Sequence, residues 1–169
     1  SYPGYDNNKM ANTVDAEYYA QLNADKSSPQ LNFATQYKAA PGSTFKIVSA
    51  TAGLMENVIN LQTRVNCVGT FTEITPSPRC WRISGHGYEN VTSAIKDSCN
   101  YFFYNVGYQL ATRNGNYDEE AGLNTLSKYA DLYGLTDKSG VEIGEYAPDV
   151  STKDPVRSAI GQGSNSYTT

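Results

Sequence analysis

The sequence is short of several residue types on which protein chemistry commonly relies. It has one histidine, one tryptophan, two methionines and three cysteines in 169 residues. With a single histidine, a serine–histidine–aspartate triad would have to use His86. That residue stands between Gly85 and Gly87 in a predicted turn, where a structural or surface role is expected. Basic residues are also scarce. Thirteen Lys and Arg against 17 Asp and Glu leave a net charge of −4, so the basic footprint of a nucleic-acid binder is missing. No apolar run approaches the ~18 residues of a membrane span. The opening Ser1-Tyr2-Pro3-Gly4-Tyr5 does not read as a signal peptide. There is no internal repeat, low-complexity tract or dividing linker. What is present suits one globular domain: 39% hydrophobic and 18% charged residues, with 14 tyrosines that serve polar ligands and cores alike.

The cysteines are Cys67, Cys80 and Cys99. Cys67 and Cys80 flank a segment holding Gly69, Pro76 and Pro78, which reads as a loop or hairpin. A disulfide closing it is physically reasonable outside the cytoplasm. A zinc site from Cys67, Cys80 and His86 is the alternative. It lacks paired ligand spacing and a fourth ligand, so no metal is expected. Cys99 reads as a small buried thiol.

The pattern along the chain is mainly helical. Asn12-Thr13 precedes Val14, Tyr18 and Leu22 at helical spacing, and Lys26-Ser27-Ser28-Pro29 ends the run. Residues 30–42 show no period. A central helix is predicted from about Ser43 to Val58, burying Phe45, Val48, Ala52 and Met55, with Ala50 and Gly53 allowing close packing. Residues 65–84 read as strand or loop, with Phe71 and Ile74 as core candidates. Asn90 is placed to cap a short helix, Val91 to Asp97. A third long helix begins near Ser98 or Cys99, with Phe103, Val106 and Leu110 on one face and Gly115 past its end. A fourth covers Glu119 to Tyr133, with Leu123, Leu126, Ala130 and Tyr133 aligned. Residues 136–157 are turn-rich, and Asp154-Pro155 starts a final turn.

Two strings carry chemistry. In Pro41-Gly42-Ser43-Thr44-Phe45-Lys46 a serine stands one helical turn before a lysine. A serine hydroxyl is a weak nucleophile until a base takes its proton, and a lysine kept neutral can be that base. The free N–H groups of a helix start can also stabilise an oxyanion. The second string is Ser98-Cys99-Asn100, followed by Tyr101-Phe102-Phe103-Tyr104. S-x-x-K followed by S-x-N is the ordered pair of the penicillin-recognising serine enzymes.

Together with Tyr2-Pro3-Gly4-Tyr5-Asp6, Gly85-His86-Gly87 and Ile160-Gly161-Gln162-Gly163, these strings resemble a class B penicillin-binding protein, in the family's order. The elongation-type D,D-transpeptidases of bacterial cell-wall synthesis are the most similar group, and the resemblance runs from Tyr2 to Thr169. It implies an α+β, serine β-lactamase/transpeptidase-like fold. This chain would be mainly its helical part, with few short strands and an incomplete central sheet. It implies that Ser43 attacks the carbonyl between two terminal D-alanines and that Lys46 accepts its proton. Ser98 would relay a proton between Lys46 and the leaving amine, and Asn100 would hold Lys46 and donate to the substrate amide. No cofactor is implied. The implied partners are peptidoglycan stem peptides, β-lactam antibiotics and a membrane glycan polymerase, with no nucleic acid. The implied place is outside the cytoplasm at the cell membrane, with an anchor upstream.

The family's third motif, Lys-Thr/Ser-Gly on a strand beyond Gly161-Gln162-Gly163, is not found. Lys138-Ser139-Gly140 has the letters but follows a helix end, Tyr133-Gly134-Leu135, and reads as a polar turn. Residues 1–169 are therefore expected to be a partial transpeptidase domain. Glu120-Ala121-Gly122-Leu123-Asn124 spells the E-x-x-L-N of class A β-lactamases, but at a helix start, where acidic residues suit the dipole; it is taken as coincidence. A β-lactamase, a β-lactam sensor domain of similar fold and a catalytically incompetent scaffold fragment are the alternatives.

Overall fold

Side-chain caps set most of the helix starts. The computed structural model describes residues 3–11 and 13–168. Tyr2 of the first family string, Asn12 of the first predicted helix start and Thr169 lie outside the described residues. Asp6 and Asp15 cap helices α1 (Asn7–Met10) and α2 (Ala16–Ala24), accepting N–H groups of the first turn. Helix α2 thus starts after Val14, which is exposed, while Leu22 is buried. The stretch without a period forms one short turn, α3 (Phe33–Gln36).

A 3-10 turn, Gly42–Phe45, leads into α4 (Lys46–Met55). Phe45, Val48 and Ala52 are buried as their spacing demands, but Met55 is 65% exposed. The helix ends there. Asn57 takes a φ of 58°, and the N–H groups of Val58 and Ile59 turn back to the Gly53 carbonyl. Ile59, which follows that turn, is buried, at 3% exposed. Gly53 makes the room, since a Cβ there would lie 3.0 Å from Ile59 and from Val106.

Strand β1 (Val65–Cys67) pairs antiparallel with β2 (Gly87–Glu89), Val65 opposite Glu89, and these two strands make the only sheet among the described residues. The loop between them buries Phe71 and half-buries Ile74. Asn90 and Ser93 form a reciprocal capping box at the start of α5 (Val91–Lys96). The chain turns at Ser98, and α6 runs over Asn100–Thr112. The centre of the packing is α6 rather than α4. Phe102, Phe103, Tyr104, Val106, Leu110 and Ala111 are all buried. Helices α4, α5, α7 (Glu119–Leu132) and α8 (Pro155–Ser158) and strand β1 gather around it. Burying each of its larger apolar side chains contributes about 1.5–3 kcal/mol. On α7, Leu123, Leu126 and Ala130 face inward, whereas Tyr133 lies past the helix end, half exposed, with its hydroxyl 2.8 Å from Thr51 Oγ1. Asp154 caps α8, and Pro155 occupies its first turn, where no N–H is needed.

Candidate active site

Ser43 is the second residue of the 3-10 turn and is exposed, while Lys46 opens α4 directly behind it and is only 2% exposed. The left-handed Ser98, with φ of 49°, brings the start of α6 against this pair. The Lys46 Nζ lies 3.1 Å from Ser43 Oγ, 3.0 Å from Ser98 Oγ, 2.8 Å from the Ser98 carbonyl and 2.6 Å from Asn100 Oδ1. The Ser98 hydroxyl is 2.8 Å from Ser43 Oγ. Ser43, Lys46, Ser98 and Asn100 are thus brought together in one network.

The network accommodates a neutral amine. Four acceptors surround a group with at most three N–H bonds, and neither the Ser98 carbonyl nor Asn100 Oδ1 can donate. A neutral lysine gives its two N–H bonds to these oxygens and accepts the Ser43 hydroxyl on its lone pair. The Ser98 hydroxyl then donates to Ser43 Oγ, and every group is satisfied. Burial is what favours that neutral form. It pulls Lys46 from its usual 10.5 down to about 8, against an opposing pull from Cys99 and Cys80. The arrangement can deprotonate a serine and carry the proton onward through a second hydroxyl.

The Gly161-Gln162-Gly163 bend borders this turn. The Gly42 N–H donates to the Gly161 carbonyl at 3.1 Å. Gly161 has a φ of 73°, and a Cβ on it would lie 2.1 Å from the Gly42 oxygen. Only glycine allows that approach. Sequence spacing gave no hint of the contact, nor of Trp81, whose indole N–H donates to the Ser98 carbonyl at 3.0 Å.

The cysteines correct the sequence reading. All three are free and buried, so the Cys67–Cys80 disulfide that the spacing left open is not formed. The fourth ligand that the sequence spacing does not reveal is Cys99. The ligand atoms of Cys67, Cys80, His86 and Cys99 all lie within 4.8 Å of one another. His86 Nδ1 is 3.6 Å from both the Cys67 and Cys80 sulfurs, and its buried Nε2 has no partner. Burial pushes Cys80 up, but the backbone N–H groups of Tyr101, Arg82 and Asn100 and the Cys67 thiol outweigh it and hold Cys80 below its ordinary value. Burial raises Cys99 well above it. Three sulfurs and one imidazole fit a tetrahedral zinc ion, with all four positions filled by protein. Such a closed set supports structure rather than chemistry.

The remaining sequence candidates stand apart. Lys138-Ser139-Gly140 is irregular and follows α7; Ser139 and Gly140 bond to the Glu145 carboxylate, and none of the three joins the Lys46 network. Glu120 is exposed in the first turn of α7.

Helices packed on α6, with a serine and lysine at one helix start and S-x-N at the next, define the class of serine β-lactamase/transpeptidase-like proteins. Residues 1–169 match the family model of the penicillin binding protein transpeptidase domain, and the chain belongs to that family. It is 32% identical over 147 residues to the peptidoglycan D,D-transpeptidase MrdA of Haemophilus influenzae, which covers 86% of this chain and 21% of that protein. To MrdA of Escherichia coli K12 it is 30% identical over 148 residues, 86% of this chain and 22% of the relative. PBP2 of Helicobacter pylori, solved alone and in a complex with MreC, superposes with a TM-score of 0.88 at 25% identity, covering 99% of this chain and 33% or 32% of that one. The chain spans about a fifth of the length of these curated relatives and a third of that structure.

Proposed function

We propose that this chain is the nucleophile-bearing part of a peptidoglycan D,D-transpeptidase domain. The observation that carries the reading is the Lys46 network, in which a buried amine faces Ser43 Oγ, Ser98 Oγ and Asn100 Oδ1 at once. Ser43 Oγ attacks the carbonyl between two terminal D-alanines of a stem peptide while Lys46 takes its proton. The Ser43 N–H, at the start of the turn, supplies one oxyanion donor. The proton returns through Ser98 to the departing D-alanine amine, leaving an ester on Ser43. An amine from a neighbouring stem peptide attacks that ester, forms the cross-link and restores the serine. A β-lactam acylates the same oxygen with its strained amide and leaves no amine to depart. Asn100 holds the Lys46 amine and is free to turn its N–H₂ to a substrate carbonyl.

The relatives support an extracytoplasmic setting. The Helicobacter pylori complex supports a partner of the MreC kind, and a solved peptidoglycan synthase complex that coordinates polymerization with crosslinking supports a glycan polymerase. No helix among the described residues is long and apolar enough to cross a membrane. The hydrolase alternative draws no support from Glu120, which is exposed and outside the network.

The test is covalent labelling with a fluorescent penicillin, in protein carrying the complete transpeptidase domain. One label per chain should attach at Ser43 and persist for many minutes. Ser43→Ala and Lys46→Ala should abolish it. Labelling that survives Ser43→Ala, or an adduct hydrolysed within seconds, would count against the transpeptidase.

A further inference from the structure

We propose that Trp81 is the positioning residue of the Ser98 turn. Its indole N–H holds the Ser98 carbonyl, which Lys46 also grips, and so keeps the Ser98 hydroxyl on the Ser43 oxygen. The proposal rests on the acyl-transfer reading above. Trp81 is the only tryptophan of the chain and is 61% exposed, so burial does not hold it in place. Specific contacts do. The indole N–H donates to the Ser98 carbonyl at 3.0 Å and to the Asp97 carbonyl at 3.3 Å. The ring meets the His86 ring edge-on, centroids 5.1 Å apart at 70°. Its backbone follows directly on Cys80, which is buried beside Cys67 and His86. Residues 80–86 thus form a strap, anchored at both ends in the cysteine–histidine cluster, with Trp81 reaching across to the turn.

That turn needs an outside donor. Asp97 is the C-cap of α5, where helix carbonyls lose their partners, and Ser98 is a non-glycine residue at φ 49°. Among the described residues, the donors to these two carbonyls are Trp81, which reaches both, and Lys46, which reaches only that of Ser98. Lys46 must also serve Ser43, Ser98 Oγ and Asn100, so it is a weak sole anchor. Without the indole N–H, the Ser98 peptide can rotate toward the right-handed region, which carries its hydroxyl off Ser43 Oγ, now 2.8 Å away, and off Lys46 Nζ, now 3.0 Å away. Trp81 touches none of the reacting atoms. Its effect should therefore fall on the acylation step and not on the first encounter with substrate.

The experiment compares wild type with Trp81→Phe and with Trp81 replaced by β-(3-benzothienyl)alanine, in protein carrying the complete transpeptidase domain. The second replacement keeps the ring's shape and stacking and puts sulfur where the N–H was. Penicillin acylation is resolved into the encounter constant and the first-order acylation constant, and thermal melting is recorded. Both variants should slow acylation about ten- to a hundredfold, the cost of misplacing a working group. The encounter constant and melting temperature of the isostere should stay at wild-type values. An isostere that acylates at the wild-type rate overturns the proposal, even if Phe does not. A change confined to the encounter constant overturns it too, by making Trp81 a substrate contact. If wild type is not labelled, or Ser43→Ala is, the acyl-transfer reading falls and takes the proposal with it.

Discussion

Lys46 holds its proton loosely because it is buried beneath Ser43, where the charged form loses its hydration. Its value of about 8 lies below the ordinary 10.5. The sign follows. The unfolded chain keeps the proton up to about 10.5, so a charged Lys46 costs stability below pH 8, and that cost fades between pH 8 and 10.5. For chemistry the neutral form is the useful one. Acylation of Ser43 by penicillin should rise about tenfold per pH unit below pH 8 and level off above it. A flat rate from pH 6 to 10, or a rise centred near 10.5, would contradict this. Lys46→Met should remove the ascending limb together with nearly all activity.

Two polar clusters fasten the elements to one another. Cys67 at the end of β1, Cys80 in the loop, His86 just before β2 and Cys99 at the cap of α6 converge within 4.8 Å. Reduced, metal-free protein should therefore take up one equivalent of zinc and melt at a higher temperature, because binding to the folded state alone stabilises it. Cys80→Ser should remove that gain, and reduced protein that takes up no zinc would contradict the assignment. The other cluster is Glu56, the C-cap of α4. It accepts from Lys128 at 2.8 Å and from the Tyr129 hydroxyl at 2.9 Å, both on α7, and from Arg113 just past α6. These partners, Lys128 first, hold its carboxyl down to about 2 against the cost of burial. Glu56→Gln should lower the unfolding free energy by about 1–2 kcal/mol at neutral pH, allowing for screening at a partly wet site. A depressed carboxyl stabilises above about pH 4.5 and loses its advantage as pH falls through 2. Denaturant titrations of the two proteins should therefore converge in acid.

At the scale of the molecule, the described residues supply a helical body and one two-stranded sheet. In the reading proposed above the Ser43 N–H is one oxyanion donor, and one such donor contributes about 2.7–4 kcal/mol in other acyl-transfer enzymes. Penicillin should therefore acylate this chain about a hundred- to a thousandfold more slowly than protein carrying the complete transpeptidase domain. Equal rates would contradict this.

By itself, the sequence determined the features that depend on near neighbours. Three-residue spacing put Ser43 and Lys46 on one turn, Asn90 capped α5, and the stripes of α6 and α7 were visible because side chains a turn apart share a face. Motif order was enough to name the family and to select Ser98 and Asn100. The tertiary structure decided whatever depends on the path of the backbone. Lys46 reaches a carbonyl 52 residues away only because Ser98 turns left-handed. Cys99 joined Cys67, Cys80 and His86, and Trp81 reached the Ser98 turn, through contacts that no local period encodes. The same holds for Ile59, buried while Met55 is exposed, and for α6 at the centre instead of α4. In each case, where the chain bends settled which side chain fills the space.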